Sequence, residues 1–307
     1  MKTLKIGTRG SPLARWQATY VQHRLEHIGI GAEIVVIRTS GDAQADRGEA
    51  LVAGKGIFVK ELEVALENGE VDLAVHSAKD VPTELARGLE LSAVCPRADS
   101  RDCLVSTGRV ALFALPHGAR VGTGSLRRKA QLIRLRPDLD VRPLRGNVHT
   151  RLRRVEEGGY HAVVLAKAGL DRLELSDRVA EVLDPEQFLP AVGQGVVVLE
   201  SRVGDTKVAQ VAHSLEDHDC RAALSAERSL LRELEGGCQV PIGAWARVDN
   251  GTLRLDAAVF GLDGSTCLRA SGKASLTEAA ALGIRIGREL LEGGAANLLA
   301  NVRGQHG

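Results

Sequence analysis

An arginine-rich window between Thr123 and Arg154 is the first feature whose residue types imply chemistry. It holds ten arginine or lysine residues against two aspartates, whereas the whole chain of 307 residues has a net charge of only +1. The planar guanidinium group of arginine binds carboxylates and phosphates through paired hydrogen bonds. The window therefore predicts a site for small anionic ligands.

A nucleic-acid partner is not expected. Aromatic residues make up only 3% of the chain, so side chains on which bases could stack are scarce. The nearly neutral net charge also lacks the strongly basic character of a nucleic-acid-binding domain. Small carboxylate or phosphate ligands fit the composition better than a polymer does.

Hydropathy and cysteine usage indicate a cytoplasmic protein without a membrane partner. No apolar run approaches the roughly 20 residues of a membrane span, and residues 1–14 contain no continuous apolar stretch of a secretory signal. The five cysteines are odd in number and lack a C-x-x-C pair, which favours reduced thiols. No metal is predicted. The nearest candidate cluster (His213, His218 and Cys220) fits solvated helix ends better.

Two short segments repeat a pattern that suits anion binding. IGTRGS (6–11) and VGTGS (121–125) each predict the end of a strand, a glycine turn and the start of a helix. The free N–H groups and the dipole of a helix N-terminus attract anions. Arg127 and Arg128 fall in the first helical turn, where a bound anion would offset their conflict with the dipole. The alternative is an exposed, solvated face.

Asp80 and Cys238 are the two further candidates for chemistry. Asp80 follows a buried strand in VDLAVHSAKDVP (71–82), and a carboxylate there could stabilise a cationic intermediate. An ordinary surface turn explains its residue type equally well. Cys238 lies in EGGCQVP (235–241), where two glycines leave the thiol on an adaptable loop. Most cysteines of this kind are small buried hydrophobes, although covalent attachment is conceivable.

The elements that must position these residues alternate between strands and helices. This alternation predicts two α/β domains with largely parallel sheets and ligands at the carboxyl ends of the strands. We predict that residues 1–96 and 196–214 form the first domain and that residues 97–195 form the second, which carries the basic cleft. Residues 41–56 show no periodicity and predict a mobile functional loop.

A third domain is predicted over residues 217–307. A helix near its start is followed by three strand-like runs, and Asn250-Gly251 and Asp263-Gly264 between those runs are typical hairpin turns. A helix over about residues 277–292 follows. These features indicate a small α+β domain with a three-stranded antiparallel sheet, which carries Cys238.

Eight ordered motifs resemble the porphobilinogen deaminase family over essentially the whole chain. They are GTRGSPLA (7–14), GKGIFVKEL (54–62), HSAKDVP (76–82), GTGSLRR (122–128), LRGNV (144–148), AGLDRL (168–173), LPAVGQG (189–195) and EGGCQVP (235–241). The resemblance implies two α/β domains like those of type II periplasmic binding proteins, joined by crossing strands, plus the small third domain. It also implies a monomer.

The resemblance further implies a transferase of tetrapyrrole and haem biosynthesis. Such an enzyme condenses four porphobilinogen molecules head to tail, with loss of ammonia, into linear hydroxymethylbilane. The chain grows on a dipyrromethane cofactor bound as a thioether, and Cys238 matches the attachment residue. Asp80 matches the catalytic carboxylate, which supports an azafulvene-like cation as ammonia leaves.

The remaining site residues also follow from the resemblance. Each pyrrole ring carries two carboxylates, so the arginines match positions that hold them. Implied cofactor contacts are Ser77, Lys79, Asp80, Thr123, Ser125, Arg127, Arg128 and Arg151, together with Cys238. Implied substrate contacts are Arg9, Ser11, Arg145, Arg151 and Arg172.

A receptor or effector-binding domain of the same fold is the alternative. It would also present anion-binding helix ends and would bind a small anion without transforming it. Such a receptor would have no use for Asp80 or Cys238, and an exported one would need a signal peptide. A regulator that binds DNA would need a helix-turn-helix segment, which the sequence does not show.

Overall fold

The computed structural model describes residues 3–39, 59–234 and 240–304, and its elements within those ranges are as follows. The strands are β1 (Leu4–Arg9), β2 (Ala32–Ile37), β3 (Leu73–Ser77), β4 (Leu89–Val94), β5 (Asp102–Ser106), β6 (Arg120–Gly122), β7 (Asp140–Arg142), β8 (Ala162–Ala166), β9 (Glu181–Val182), β10 (Val197–Arg202), β11 (Ile242–Asp249), β12 (Thr252–Phe260) and β13 (Cys267–Ala274). The helices are α1 (Pro12–His27), α2 (Lys60–Glu67), α3 (Leu126–Leu135), α4 (Val148–Glu156), α5 (Lys167–Arg172), α6 (Thr206–His213), α7 (His218–Glu233), α8 (Ala279–Leu290) and α9 (Ala296–Gly304).

The chain divides into two compact units, and each is discontinuous in sequence. The first unit comprises residues 1–98 and 195–221, and the second comprises residues 99–194 and 222–307. The second unit therefore combines one α/β sheet with the small C-terminal sheet. The three-domain boundaries given by the sequence remain a prediction.

The sheet of the first unit has the order β2-β1-β3-β10-β4. Strand β1 pairs in parallel with β2 and β3, whereas β10 runs antiparallel to both β3 and β4. Helix α1 packs on one face of this sheet, where Val21 and Leu25 are buried. The sequence predicted a largely parallel sheet, but only two of the four strand pairings are parallel. No crossover helix within the unit precedes β10, so the rule that keeps βαβ strands parallel does not apply to it.

The α/β sheet of the second unit repeats this arrangement with the order β7-β6-β8-β5-β9. Strand β6 is parallel to β7 and β8, while β5 is antiparallel to β8 and β9. Strand β5 is the first strand of the second unit, so, as with β10 in the first unit, no crossover helix of its own unit precedes it. Both α/β sheets are therefore mixed, for the same topological reason.

Short polar side chains begin the helices at the predicted positions. Ser11 accepts a hydrogen bond from the backbone N–H of Ala14 (3.3 Å), and Pro12 occupies the first turn of α1. Ser125 accepts a hydrogen bond from the N–H of Arg128 (3.4 Å) at the start of α3. These contacts satisfy N–H groups that have no partner within the helix. The repeated strand–glycine–helix pattern is confirmed.

The C-terminal sheet is antiparallel in the order β11-β12-β13, as predicted. Asn250 and Gly251 both have positive φ values (50° and 75°), which the tight turn between β11 and β12 requires. Helix α8 covers one face of the sheet and buries Leu282 and Ile286 in the largest apolar core of the second unit. At the β12–β13 turn, a Cβ on Gly264 would lie 2.7 Å from the backbone nitrogen of Arg134. The turn therefore packs closely against the backbone of α3.

Several elements differ from the sequence expectation. The short strand β9 and helix α6 were not predicted, because elements of two and eight residues are shorter than the stretch over which periodicity is recognised. The predicted loop over residues 41–56 lies outside the described residues. Among the helices that are described, none has the length and hydropathy needed to span a membrane.

Candidate active site

The candidate catalytic residue Asp80 lies directly beyond the carboxyl end of β3. Residues Ala78–Asp80 form a 3₁₀ turn, which is fixed by the hydrogen bond from the N–H of Ala78 to the carbonyl of Val196 (3.0 Å). Asp80 and Lys79 are partly exposed. Among the described residues, none forms a hydrogen bond or ion pair with the Asp80 carboxylate. The carboxylate is thus held on a fixed backbone and is available to a ligand.

Neighbouring side chains tie the start of α1 to the end of β3. Gln17 on α1 is buried and donates a hydrogen bond to Oγ of Ser77 (2.8 Å). The buried hydroxyl of Thr8 donates to the carbonyl of Ala14 (3.0 Å). Arg9 is the last residue of β1, and only Gly10 separates it from Ser11, the N-cap of α1. The structure therefore brings Ser11 and Ser77 into one hydrogen-bonded framework through α1.

Strands β3 and β10 carry a buried imidazole–carboxylate pair that the sequence did not predict. His76 on β3 and Glu200 on β10 approach to 3.0 Å between Nε2 and Oε2, and their side chains are 3% and 0% exposed. Oε1 of Glu200 has no hydrogen-bond partner. Burial raises the pKa of nearby Glu63, and the charge of Glu200 raises it further. His76 is the first residue of the recognised HSAKDVP motif, but its buried partner is 124 residues away in sequence.

In the second unit, the start of α3 carries Thr123, Ser125, Arg127 and Arg128. Oγ1 of Thr123 accepts a hydrogen bond from the N–H of Ser125 (3.2 Å). A Cβ on Gly122 would lie 2.7 Å from Cδ2 of Leu144 and 3.0 Å from its Cβ, so the end of β6 packs closely against Leu144. Arg127 and Arg128 follow in the first turn and point into the protein, where they are 3% and 6% exposed. Sequence reasoning placed them correctly at the helix start but did not anticipate this burial.

The two arginines share a protein carboxylate, that of Asp102 on β5. Nη1 of Arg127 donates to Oδ2 of Asp102 (2.7 Å), and Nε and Nη2 of Arg128 donate to Oδ1 (3.0 and 2.7 Å). Nε2 of Gln194 donates to the same oxygen (3.0 Å). Asp102 is completely buried. We call Asp102, Arg127, Arg128 and Gln194 the Asp102 cluster.

The Asp102 cluster remains ionised. Burial acts to raise the pKa of Asp102, but the charges and hydrogen bonds of Arg127 and Arg128 outweigh burial and lower the pKa to about 2. Burial lowers the pKa of Arg127, which is opposed by the charge of Asp102, and a guanidinium stays protonated at any accessible pH. Two guanidinium groups and one carboxylate leave the cluster with one excess positive charge. A buried excess charge is costly unless a counter-ion balances it.

The Asp102 cluster predicts an acid-sensitive step in unfolding. Because the folded-state pKa of Asp102 is lowered, its contribution to stability is complete above the ordinary carboxyl pKa and is lost as the pH falls towards 2. A lowering of this size corresponds to roughly 2 kcal/mol. We expect the urea midpoint to fall between about pH 4 and pH 2. The same decline in Asp102→Asn as in the wild type would contradict this assignment.

The other implied arginines lie around α4 and α5. Asn147 caps α4 by accepting from the N–H of Thr150 (2.9 Å), and Nε of Arg151 donates to the carbonyl of Gly146 (2.8 Å). Gly146 has a φ of 107°, a conformation that favours glycine. Arg145 is exposed, and Arg172 is partly exposed at the end of α5. The structure thus places Arg145 and Arg151 on either side of one capped helix start.

Cys238 lies outside the described residues, but the elements before and after its loop are described. Glu227 on α7 is fully buried and accepts hydrogen bonds from the N–H groups of Gly193 (2.6 Å) and Ala246 (2.8 Å). One carboxylate therefore connects α7, the GQG motif and β11. This connection was not predicted, because glutamate in the middle of a helix is ordinarily exposed.

The structure contains two mixed α/β sheets with matching strand arrangements, each with one internal strand antiparallel to both neighbours, and a small antiparallel sheet. Similar solved structures include the VFT2 domain of BvgS from Bordetella pertussis, at 19% identity over 74% of this chain and 92% of that one (TM-score 0.43). A putative methionine-binding lipoprotein from Bacillus subtilis is 14% identical over 70% of this chain and 90% of that one (TM-score 0.43).

Family comparison is decisive for the activity. The family described as "Porphobilinogen deaminase, dipyromethane cofactor binding domain" matches residues 4–210, and "Porphobilinogen deaminase, C-terminal domain" matches residues 222–292. The chain belongs to the porphobilinogen deaminase family. It is a transferase of tetrapyrrole biosynthesis, which condenses porphobilinogen into hydroxymethylbilane on a dipyrromethane cofactor. The receptor alternative finds no support in these matches.

Proposed function

We propose that Asp80 is the catalytic carboxylate of this deaminase. The observation that supports this role is its place on the fixed turn after β3, partly buried and without a partner among the described residues. A preorganised carboxylate stabilises positive charge best where it need not break existing bonds first. The side chains of Ser77 and Lys79 flank it and are proposed to hold the pyrrole substituents.

The proposed reaction breaks the C–N bond of the substrate and an α C–H bond of the growing chain, and it forms one C–C bond. The aminomethyl carbon of porphobilinogen loses ammonia, and the positive charge spreads into the pyrrole ring. Asp80 stabilises this cation by accepting a hydrogen bond from the pyrrole N–H. The free α-carbon of the terminal ring of the growing chain then forms a C–C bond with that carbon and releases its proton. When bound, the dipyrromethane would supply the first such terminal ring.

The basic residues are proposed to bind the acetate and propionate groups. Arginine is suited to this task because its fork matches a carboxylate. We assign the cofactor carboxylates to Arg127, Arg128 and Arg151, with Thr123 and Ser125 as hydrogen-bonding partners. We assign the incoming substrate to Arg9, Ser11, Arg145, Arg151 and Arg172. Support comes from the excess positive charge of the Asp102 cluster, which fits a ligand that carries several carboxylates.

Cys238 is proposed as the covalent attachment residue. It lies between two described anchors, namely the end of α7 at Glu233 and the start of β11 at Ile242. Glu227 on α7 accepts a hydrogen bond from the N–H of Ala246 on β11 and so links the two elements that precede and follow Cys238. Cys238 therefore lies in sequence between two elements that are linked to each other by a hydrogen bond. Thioether formation also requires a free thiol, which is what the cysteine pattern predicts.

The substrate arginines should be separable from the cofactor arginines. We expect Arg9→Leu to retain the covalent cofactor but to stall chain elongation, because its charge serves the incoming dicarboxylate. Intact mass spectrometry measures the cofactor, and ammonia release from porphobilinogen measures turnover. Arg109→Leu, at an exposed arginine of the second unit, is the control and should behave as wild type. Loss of the adduct in Arg9→Leu would refute this division.

We further infer that the enzyme acts as a cytoplasmic monomer. Three of the described cysteines (Cys95, Cys103 and Cys220) are buried and not disulfide-bonded, which suits a reducing compartment. We assign anion binding mainly to the second predicted domain and cofactor attachment to the third. Light scattering at several concentrations tests the monomer, and a dimer mass throughout that range would overturn it.

A further inference from the structure

The buried pair of His76 and Glu200 lies on a face of the first unit's sheet that is otherwise apolar nearby. The same face presents Ala74, which packs with Leu62 and Leu66 of α2. Nε2 of His76 and Oε2 of Glu200 are 3.0 Å apart, and the two side chains are 3% and 0% exposed. Apolar side chains could fill this position without removing polar groups from water, so packing alone does not explain the pair.

The hydrogen bonding of the pair is also incomplete. Within the described chain, Oε1 of Glu200 is buried and has no hydrogen-bond partner. A buried acceptor without a partner lowers stability, and a buried polar pair is often no more stabilising than apolar residues of similar size. Stability therefore does not explain why the pair is present, which leaves function as its explanation.

The contact between the two side chains fixes how β10 is aligned against β3. His76 lies opposite Val198 and Glu200 lies opposite Ala74, so the two side chains meet diagonally across the antiparallel ladder. On its other edge, β10 changes register against β4 between Leu199 and Glu200. Irregularities of this kind re-aim side chains and are frequent near active sites. The contact with His76 thus gives β10 a fixed alignment at the point where its pairing with β4 is irregular.

The aligned strands lead directly to the turn that carries Asp80. The register that sets Val198 opposite His76 continues to Val196 and Ala78, where the N–H of Ala78 donates to the carbonyl of Val196 (3.0 Å). This hydrogen bond holds the start of the 3₁₀ turn Ala78–Asp80. A catalytic group must keep its position to within a fraction of an ångström. A displacement of β10 would therefore displace the Asp80 carboxylate.

We propose that His76 and Glu200 are a positioning pair, whose hydrogen bond aligns β10 with β3 and thereby fixes the turn that carries Asp80. The inference rests on the proposed catalytic role of Asp80. Both side chains are buried, so they act through the backbone of their strands and not by contact with a ligand. The hydrogen bond, and not the charge of either residue, carries the effect.

An apolar replacement of both residues separates positioning from stability. The double variant His76→Leu with Glu200→Met removes two buried polar groups, so it should melt at or above the wild-type temperature. We expect its kcat for porphobilinogen to be about tenfold lower, with KM within about twofold of the wild type and the cofactor still attached. Hydrogen exchange at the amide of Ala78 should become faster, while exchange at Val21 in α1 stays unchanged. Wild-type kcat or wild-type exchange at Ala78 in this variant would overturn the inference.

Glu200→Gln is the conservative variant, and Glu200→Met is its comparison. The glutamine amide can donate or accept a hydrogen bond at the same place, so it keeps a contact with His76 without the charge. It should retain most of the wild-type kcat and the slow exchange at Ala78, whereas Glu200→Met should lose both. The comparison remains informative if the double variant does not fold. A kcat that falls as far in Glu200→Gln as in Glu200→Met would contradict the role of the hydrogen bond.

Asp205→Ala is the matched control for a loss of stability in the same unit. Asp205 caps α6 by accepting from the N–H of Val208 (3.3 Å), and it accepts a further hydrogen bond from Arg202 (3.1 Å). Its removal should lower the melting temperature but leave kcat and the exchange at Ala78 unchanged. An equal fall of kcat in Asp205→Ala and Glu200→Met would show that the pair is merely structural and would overturn the inference.

Failure of the proposed function would look different. If Asp80→Asn kept a nearly normal kcat, the catalytic role of Asp80 would fall, and turnover would no longer report on the pair. Exchange at the amide of Ala78 would still decide the inference. Faster exchange in Glu200→Met than in Glu200→Gln supports the positioning of the turn, and equal exchange in both overturns it.

Discussion

Asp80→Asn should bind porphobilinogen and turn it over about 10²–10³ times more slowly than the wild type. Asparagine retains the size of the side chain and much of its hydrogen bonding, but it cannot offset the positive charge that develops as ammonia leaves. The carboxylates of the substrate should still bind to their arginines. The loss should therefore appear in kcat and leave KM nearly unchanged.

Thermal melts separate this effect from misfolding. No described residue depends on the Asp80 carboxylate for a hydrogen bond, so the melting temperature should hold. Asp80→Glu should keep part of the activity because it keeps the charge. Glu70→Gln, at an exposed acid of the same unit, is the neutral control. A nearly normal kcat in Asp80→Asn with cofactor attached would transfer the catalytic role to another group.

Cys238→Ser should abolish covalent cofactor attachment altogether. A serine hydroxyl is far less nucleophilic than a thiolate, so no thioether can form. Intact mass spectrometry should show the wild type with two deaminated porphobilinogen units above its sequence mass and the variant at the bare sequence mass. Without a primer, hydroxymethylbilane production should also cease.

Cys267→Ser is the matched control for this experiment. Cys267 is a partly buried free thiol in the same unit, and burial raises its pKa, which disfavours the reactive thiolate. The adduct should persist in this variant. A wild-type protein at bare sequence mass that acquires no adduct from porphobilinogen would rule out attachment at any cysteine.

The sequence predicted those parts of the fold that depend on local signals. Ser11 and Ser125 cap their helices as expected, and the Asn250-Gly251 and Asp263-Gly264 turns lie between the three C-terminal strands. Each depends on residues within a few positions of one another. The direction of β10 was not predicted, because it is set by a chain path that leaves the unit and returns.

The same distinction applies to the candidate site. Arg127 and Arg128 could be located from the composition of one helix start, but their partner Asp102 lies 25 residues before Arg127, in a separate strand. Glu200 and Glu227 were missed for a similar reason, since a buried carboxylate is recognisable only by the distant groups that surround it. An acidic residue at the start of the apolar run DCLVS was the available signal for Asp102.

The strand order of the first unit also constrains how the chain folds during synthesis. Strand β10 lies between β3 and β4, although it leaves the ribosome after every residue of the second unit's α/β sheet. At translation rates of about 5–20 residues per second, several seconds pass between the synthesis of β4 and that of β10. During this time the edges of β3 and β4 that later pair with β10 have no partner strand. Such edges invite pairing with other chains. The nascent first half should therefore depend on chaperones, and release of a chain truncated before Val197 should yield aggregates.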